Sequence, residues 1–295
     1  MPETIMAVRL DVLLRKASTV LRDAGIADAG REARLLTEHL AGVNAAEFLT
    51  DPGRQIAGPA QAAVEEAVRR RAQGEPLHRI VGKRGFYGIE LALSPATLEP
   101  RPDTEILVER IIPHARRITK RDGVCKLLDL GTGTGAIALA VLKEVDGATA
   151  LGVDIDDDAV ATAMANARSN GLAGRFRAIR SDWFGGVNEK FHIIVSNPPY
   201  ISSDEYAALP EEVRLFDPKT ALLGGIDGLQ AYRAIARSAA GYLIPDGIVG
   251  VETGYTQRDA VMAIFAEHGF KLVEEARDLA GHDRVLLFDL WHRTE

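Results

Sequence analysis

The sequence predicts an α/β fold: a mostly parallel sheet with helices on both faces and an antiparallel C-terminal hairpin, preceded by a small all-helical unit. Two observations carry this. From Lys126 onward, short apolar runs alternate with stretches of helical periodicity, the pattern of parallel strands joined by crossover helices. Before about residue 75 there is only helical periodicity.

The opening "MPETIMAVRLDVLLRK" has charges scattered through it and reads as an amphipathic helix, not a secretion signal. Apolar positions recur at helical spacing at Val8, Val12 and Leu13, and again at Leu35, Leu36 and Leu40. Asp28 and Glu32 suit a helix start, and Asp51-Pro52-Gly53 is a break. A last helix over about Pro59–Gln73 ends at Gly74, and its Arg69-Arg70-Arg71 run is expected to be a solvated face. Residues 76–98 alternate and carry glycines ("RIVGKRGFYGIELALS"), as a hairpin linker does. In "LEPRPDTEILVERII", Pro102 suits a first helical turn and Asp103 and Glu105 suit that end of the dipole. That helix is expected to reach about Arg117.

Strands are expected at 126–130, 149–154, 176–180, 191–196 and 247–252, with helices at 135–144, 157–170, 227–243 and 256–268. "FKLVEEARDL" and "RVLLFDLW" read as two strands whose link around Gly281 is too short for a parallel crossover, so they should pair antiparallel. The chain thus divides into a helical unit (1–75), a hairpin linker (76–98) and an α/β domain (99–295).

Composition narrows the function. The chain has 295 residues, 46% hydrophobic and 26% charged, ample for a real core. No apolar run approaches the roughly 18 residues that span a bilayer. Its net charge of −7 argues against a protein built mainly to grip a nucleic-acid backbone. Cys125 is the only cysteine, which excludes a disulfide or a thiolate metal cluster. With no secretion signal, a cytoplasmic location is expected. His39, His78 and His282 show no metal-ligand spacing.

The chemistry sits at the strand ends. In "LLDLGTGTGAIALAV", a strand ends at Leu130, Gly131, Thr132, Gly133, Thr134 and Gly135 follow, and a helix begins at once. Glycine permits a sharp turn and close ligand approach, and the helix start offers free N–H groups. The phosphate-loop pattern requires Lys and Ser or Thr after the last glycine, where Ala136-Ile137 stand; the spacing also departs from the dinucleotide pattern. The next strand ends at Asp154, placed to accept ribose hydroxyls. The third runs into Asp182 and Trp183, an acid for an adenine amino group and a ring to cover the base. Glycine turn, ribose acid and adenine contact fit S-adenosylmethionine in a class I methyltransferase, a Rossmann-like fold.

The fourth strand ends in Asn197-Pro198-Pro199-Tyr200, and ligands of such sheets bind at the carboxyl ends of the strands. The target would be an amide or aromatic amino nitrogen, whose lone pair is delocalised. The Asn197 oxygen and the Pro198 carbonyl would accept its two N–H groups and draw the lone pair out of conjugation. The prolines hold that carbonyl in place. Pro199 and Tyr200 would border the target, Tyr200 stacking on its plane. No strong general base is needed; orientation in a dry site carries the catalysis.

The chain resembles the protein-(glutamine-N5) methyltransferases of peptide chain release factors. The matching residues are "EPLHRIVGKRGFYG" (75–88), "RPDTE" (101–105), "LDLGTGTGAIALA" (128–140), "DID" (154–156), "DWF" (182–184), "VSNPPYI" (195–201), "GGIDGL" (224–229) and "DLAGHDRV" (278–285). The resemblance implies a helical N-terminal substrate-docking domain, a hairpin link and a seven-stranded methyltransferase domain. It also implies the substrate, the glutamine of the Gly-Gly-Gln tip of class 1 release factors, with S-adenosyl-L-homocysteine as the cofactor product. By position, Gly131 to Gly135 would line the methionine part of the cofactor, Asp154 the ribose and Trp183 the adenine. Asn197 would touch both cofactor and target. Glu99 and Thr253 stand where apolar residues are expected. Phe86 and Tyr87 suit buried hairpin aromatics; Arg101 would pin its segment to an acid, and Thr104 and Glu105 lie open between capping and the cofactor.

Two rivals share parts of this pattern. A DNA adenine-N6 methyltransferase would use the same four residues, but would need a DNA-gripping surface and a reading domain. A non-catalytic cofactor-binding module is disfavoured because Asn197 and Tyr200 are both present.

Overall fold

The structure, a computed structural model, describes residues 7–290. It forms two compact units, one reaching to Gly82 and one starting at Lys83. The part of the opening segment before residue 7, and Trp291 of the last expected strand, lie outside the described residues.

The first unit contains β1 (Val8–Arg9), α1 (Leu10–Asp23), α2 (Ala29–Ala41), α3 (Glu47–Thr50), β2 (Gln55–Ile56), α4 (Gly58–Ala72) and α5 (Leu77–Val81). Leu10, Leu13, Ala17 and Leu21 put the apolar stripe of α1 into a core shared with Ala33 and Leu36 of α2 and Val64 and Val68 of α4. Val12 is instead largely exposed, because the stripe is set by Leu10 and Leu13. The β1–β2 pairing is only two residues long, too short to show a period of two in the sequence.

Two expectations need correction here. The helical unit does not stop near residue 75: α5 follows and ends at Gly82, which takes a positive φ of 75°. The hairpin therefore starts at Lys83 and belongs to the second unit. The arginine run is also not uniformly solvated. Arg69 pairs with Glu66 and Arg70 with Glu75, but the Arg71 side chain is only 10% exposed and meets Glu32 of α2 at 2.6 Å.

The second unit contains β3 (Lys83–Phe86), β4 (Ile89–Ala92), α6 (Thr104–Asp122), β5 (Cys125–Leu130), α7 (Ala136–Glu144), β6 (Ala148–Asp154), α8 (Asp157–Ser169) and β7 (Phe176–Arg180). Then come β8 (Phe191–Ser196), α9 (Ser203–Ala208), α10 (Glu211–Phe216), α11 (Lys219–Leu222) and α12 (Gln230–Tyr242). The chain closes with β9 (Leu243–Glu252), α13 (Arg258–Glu267), β10 (Phe270–Arg277) and β11 (Asp283–Leu290). The β3–β4 turn places Tyr87 and Gly88 at φ 44° and 76°, as a two-residue hairpin turn demands. The short helices α9 to α11 have no periodic signal long enough to read in advance.

Seven strands form one sheet in the order β10-β11-β9-β8-β5-β6-β7. β5 to β9 pair in parallel, and β11 runs antiparallel to both its neighbours. Alternate residues feed opposite cores: Leu127, Ile193 and Leu287 face the side that holds α6 and α7, while Leu128, Ile194 and Leu286 face the side of α12 and α13. A sheet buried on both faces explains the near-continuous apolar strands. The strand order reverses between β5 and β8, and that switch point is where a ligand crevice opens.

Removing one partner of a buried ion pair leaves the other charge stranded, at a cost of about 3 kcal/mol or more. Arg71→Ala is therefore expected to lower stability markedly in denaturant titration, while Arg69→Ala, an exposed residue, changes it by less than about 0.5 kcal/mol.

Candidate active site

A cavity of about 480 Å³ opens at the carboxyl ends of β5, β6, β7 and β8. Gly131, Thr132, Gly133, Thr134, Asp154, Asp182, Trp183, Asn197 and Pro199 all line it. Leu98, Pro100, Arg101, Thr104, Ile155 and part of the Lys219–Leu223 stretch also line it. Gly135, Pro198 and Tyr200 are not on that wall. Gly135 is the N-cap of α7, Pro198 is buried, and the half-buried Tyr200 packs against the core on the α12 and α13 side.

The glycine turn is held from beneath. Gly131, Gly133 and Gly135 all take positive φ, which side-chain-bearing residues rarely adopt. Asp129, inside β5, accepts a hydrogen bond from the Thr132 hydroxyl at 2.8 Å and one from the Ala138 N–H at 3.4 Å. Its other oxygen is buried without a protein partner, and burial pushes its proton affinity up to a pKa of about 7. Asp154 accepts the Gly133 N–H at 2.9 Å, so the ends of β5 and β6 are tied across the cavity floor. Burial also raises the Asp154 pKa, and the Gly133 N–H partly offsets this. Trp183 sits at φ 48°, a costly conformation for an aromatic residue. Ser181 holds it there, donating to the Trp183 carbonyl at 2.9 Å and accepting the Gly186 N–H at 2.8 Å.

The Asn-Pro-Pro-Tyr turn is braced from several directions. The Asn197 Nδ2 donates to the Thr104 Oγ1 at 3.0 Å, linking the end of β8 to the start of α6. Glu252, at the end of β9 and 1% exposed, lies close to both. Burial raises its pKa to about 7, against the lowering pull of Thr104 and Arg284. The Tyr200 carbonyl accepts the Gln257 Nε2 at 2.8 Å. Gly228, in the "GGIDGL" stretch, packs so closely that a Cβ there would lie 2.3 Å from the same carbonyl oxygen. Arg101 meets the buried Asp217 carboxylate at 2.6 Å, pinning its segment to an acid as expected. Glu105 accepts the Tyr87 N–H at 2.8 Å, and Phe86 is buried in the core. The buried Glu99 is paired with Arg84 of β3, which explains a charge where an apolar residue was expected.

Comparison with known proteins decides the family. A release factor glutamine methyltransferase of Agrobacterium fabrum is 50% identical over 91% of this chain and 93% of its own length. The chain belongs to the release factor glutamine methyltransferase family. A second relative of that description, from Caulobacter vibrioides, is 40% identical over 90% of this chain and 91% of its own length. The PrmC N-terminal domain model matches residues 12–82, in line with a helical unit that ends at Gly82, and the methyltransferase small domain model matches residues 102–212. The hMettl16 catalytic domain, solved with an RNA hairpin, superposes with a TM-score of 0.53 at 14% identity, covering 82% of this chain and 87% of that one. That likeness speaks to the fold alone.

This methyltransferase therefore has the expected fold, with most of the expected residues around one cavity. Three residues that shape the site went unassigned in the sequence. Asp129 had a local signal, an acid amid the buried run "LLDL". Glu252 had a similar one at the end of "IVGVE". Arg284 had none, because its partners Asp103 and Asp278 converge only in three dimensions.

The raised pKa of Asp129 has a consequence for stability. The unfolded acid ionises near pH 4, while the folded one keeps its proton until about pH 7. The folded state thus binds more protons across this window, and the Asp129 contribution to stability falls as pH rises through it. Asp129→Asn removes the titration. The stability of the mutant relative to wild type should rise by a few kcal/mol between about pH 4 and pH 7. Denaturation of both proteins across that range, without ligand, measures it; parallel curves would contradict the assignment.

Proposed function

We propose that this methyltransferase transfers a methyl group from S-adenosylmethionine to the side-chain amide nitrogen of the glutamine in the Gly-Gly-Gln motif of class 1 peptide chain release factors, in the cytoplasm. The observation that carries it is the Asn197 amide, held from behind by Thr104 on the wall of the cavity that the glycine turn also lines. The names of the relatives support the substrate class. Among the described residues no helix is long and apolar enough to cross a membrane.

The cavity residues fit the cofactor. Gly131 and Gly133 have open space where a Cβ would stand, so a ligand can lie against their backbone. These residues and the adjoining threonines would hold the methionine part. Asp154 would take the ribose hydroxyls, Asp182 the adenine amino group, and Trp183 would cover the ring. The cofactor supplies a methyl group on a positively charged sulfur.

The other side of the reaction is positioning. The Asn197 oxygen and the Pro198 carbonyl accept the two N–H groups of the target amide, and Tyr200 stacks on its plane. Burial pushes the Tyr200 hydroxyl well above its ordinary pKa, so it stays protonated at neutral pH and is no base. The nitrogen sheds its proton to solvent after transfer. The helical unit, which carries no chemical cluster of its own, docks the protein substrate.

Labelled S-adenosylmethionine offered with release factor, DNA or free glutamine tests the reading: label should enter release factor alone. Asp154→Ala should weaken cofactor binding by about 1.5–3 kcal/mol in calorimetry. Asn197→Ala should cost about 10²-fold or more in single-turnover rate at saturating cofactor. Asn197→Asp should fail as well, because it removes the donor that Thr104 accepts. Near-wild-type turnover in folded Asn197→Ala would overturn the assignment.

Deleting residues 1–82 should raise KM for release factor at least about tenfold, the scale of losing roughly 1.4 kcal/mol of docking energy. Cofactor affinity should hardly change. A folded deletion with the normal KM would remove the docking role.

A further inference from the structure

We propose that Asn166 is a positioning residue for the cofactor: its one buried amide ties the β3–β4 hairpin to the glycine turn, so that order in either is passed to the other. The inference rests on the cofactor reading of that turn given above.

Asparagine is a poor choice for the interior of a helix, and a buried amide must find partners. Asn166 stands inside α8 and is 1% exposed, and its side chain bonds to two segments outside that helix. The Nδ2 donates to the Thr134 carbonyl at 2.9 Å and to the Ala92 carbonyl at 3.1 Å, and the Oδ1 accepts the Ala92 N–H at 2.7 Å. Two carbonyls require the NH₂ and an N–H requires the oxygen, so the amide has one orientation. Ala92, the last residue of β4, thus pairs with a side chain as it would with a further strand. Asn170, one turn along α8, donates to the Glu90 carbonyl at 2.8 Å, two residues back on the same strand.

The other end of the tie is a residue of the cavity. Thr134 lines it, and the peptide between Thr134 and Gly135 is held on both sides. Asn166 takes its carbonyl, while its N–H donates to the Thr132 carbonyl at 2.7 Å. A Cβ on Gly135 would stand 3.4 Å from that of Ala163, about one turn before Asn166, so α8 packs directly on the turn. From the β6 side, the Thr132 N–H meets the Val153 carbonyl and the Gly133 N–H meets Asp154. Asn166 is the matching tie from the side of α8.

One amide cannot serve hairpin and turn independently. When the Ala92 edge lifts, the Asn166 oxygen loses its donor, the amide is free to rotate, and the Thr134 carbonyl loses its donor in turn. Conversely, a ligand that stills the turn holds the amide in the orientation that Ala92 needs. Coupling of this kind is reciprocal. The hairpin is therefore part of the cofactor site, although no residue of β3 or β4 lines the cavity.

Asn166→Ala cuts the tie. S-adenosylhomocysteine, which binds without turnover, should bind the variant at least about fivefold more weakly than wild type in calorimetry, the lower end of ordinary coupling between sites. KM for S-adenosylmethionine should rise in step, while single-turnover rate at saturating cofactor changes by less than about twofold. A merely structural residue would instead lower the folded fraction and leave affinity alone. The second readout needs no variant. In ¹⁵N-labelled wild type, the Ala92 amide should exchange with solvent at least about fivefold more slowly when S-adenosylhomocysteine is saturating. The rate is read where exchange is insensitive to denaturant, and so reports local opening. In Asn166→Ala that amide should exchange fast with or without the ligand. Wild-type affinity in folded Asn166→Ala, or wild-type Ala92 exchange that ignores the ligand, would overturn the inference and leave the cofactor reading standing. If Asn166→Ala does not fold, the exchange experiment on wild type decides alone. A wild-type protein that does not bind S-adenosylhomocysteine would refute the cofactor reading, and the inference with it.

Discussion

One buried hydrogen bond sets the geometry on which the site depends. The Ser196 hydroxyl donates to the Leu130 carbonyl at 2.7 Å, where β8 and β5 end side by side. The two residues are also register partners in the parallel ladder. Gly131 and Asn197 are the next residues on each strand, so the glycine turn and the Asn-Pro-Pro-Tyr turn leave the sheet together. A slip of one residue would send Asn197 to the wrong face of the sheet. Apolar residues on both faces of β5 and β8 oppose such a slip only weakly, because either face accepts them. A hydroxyl that must find an acceptor at full burial is more selective.

The site is costly to maintain. Asp129 and Glu252 both keep carboxyl groups where solvent does not reach, and each has an oxygen without a protein partner. Neither is the choice a sequence would make for stability alone, since buried acids are penalised unless paired. Trp183 adds a strained backbone after β7. Such departures gather at one end of the sheet, while the two cores beneath it are apolar and close-packed. The cores supply the stability that these polar and strained positions draw on.

What was legible in the sequence follows from the range of the physics involved. Strand boundaries at β5 to β8 were legible to within a residue, because a parallel sheet imposes apolar runs of fixed length between turns. The glycine turn and the Asn-Pro-Pro-Tyr turn were legible because each is a local solution to a local problem. The Glu252–Thr104–Asn197 cluster was not, as its members come from three distant segments and each looks ordinary alone. Thr104 reads as a helix start, and Glu252 as an acid after a strand. The hairpin boundary was misjudged for a smaller reason: α5 is a single short helix, and its five residues carry too little periodicity to separate it from a strand.

The two prolines can now be placed in this frame. A turn built from Gly or Ser would bring N–H groups that seek carbonyls close by, and its own carbonyls would be the nearest. Pro198 and Pro199 have no N–H to offer, so they leave the carbonyls of the turn uncommitted from within. The surrounding chain then decides which of these are used. Gln257 takes the Tyr200 carbonyl from outside, and the backbone at Gly224 and Gly228 closes over the same side. A Cβ at Gly224 would stand 2.6 Å from the Pro199 oxygen, so bare backbone is what fits there. Rigidity thus comes from fixed proline torsions and from packed backbone, not from hydrogen bonds inside the turn. That arrangement suits the proposed role of the turn, which asks its acceptors to stay free until a substrate amide arrives.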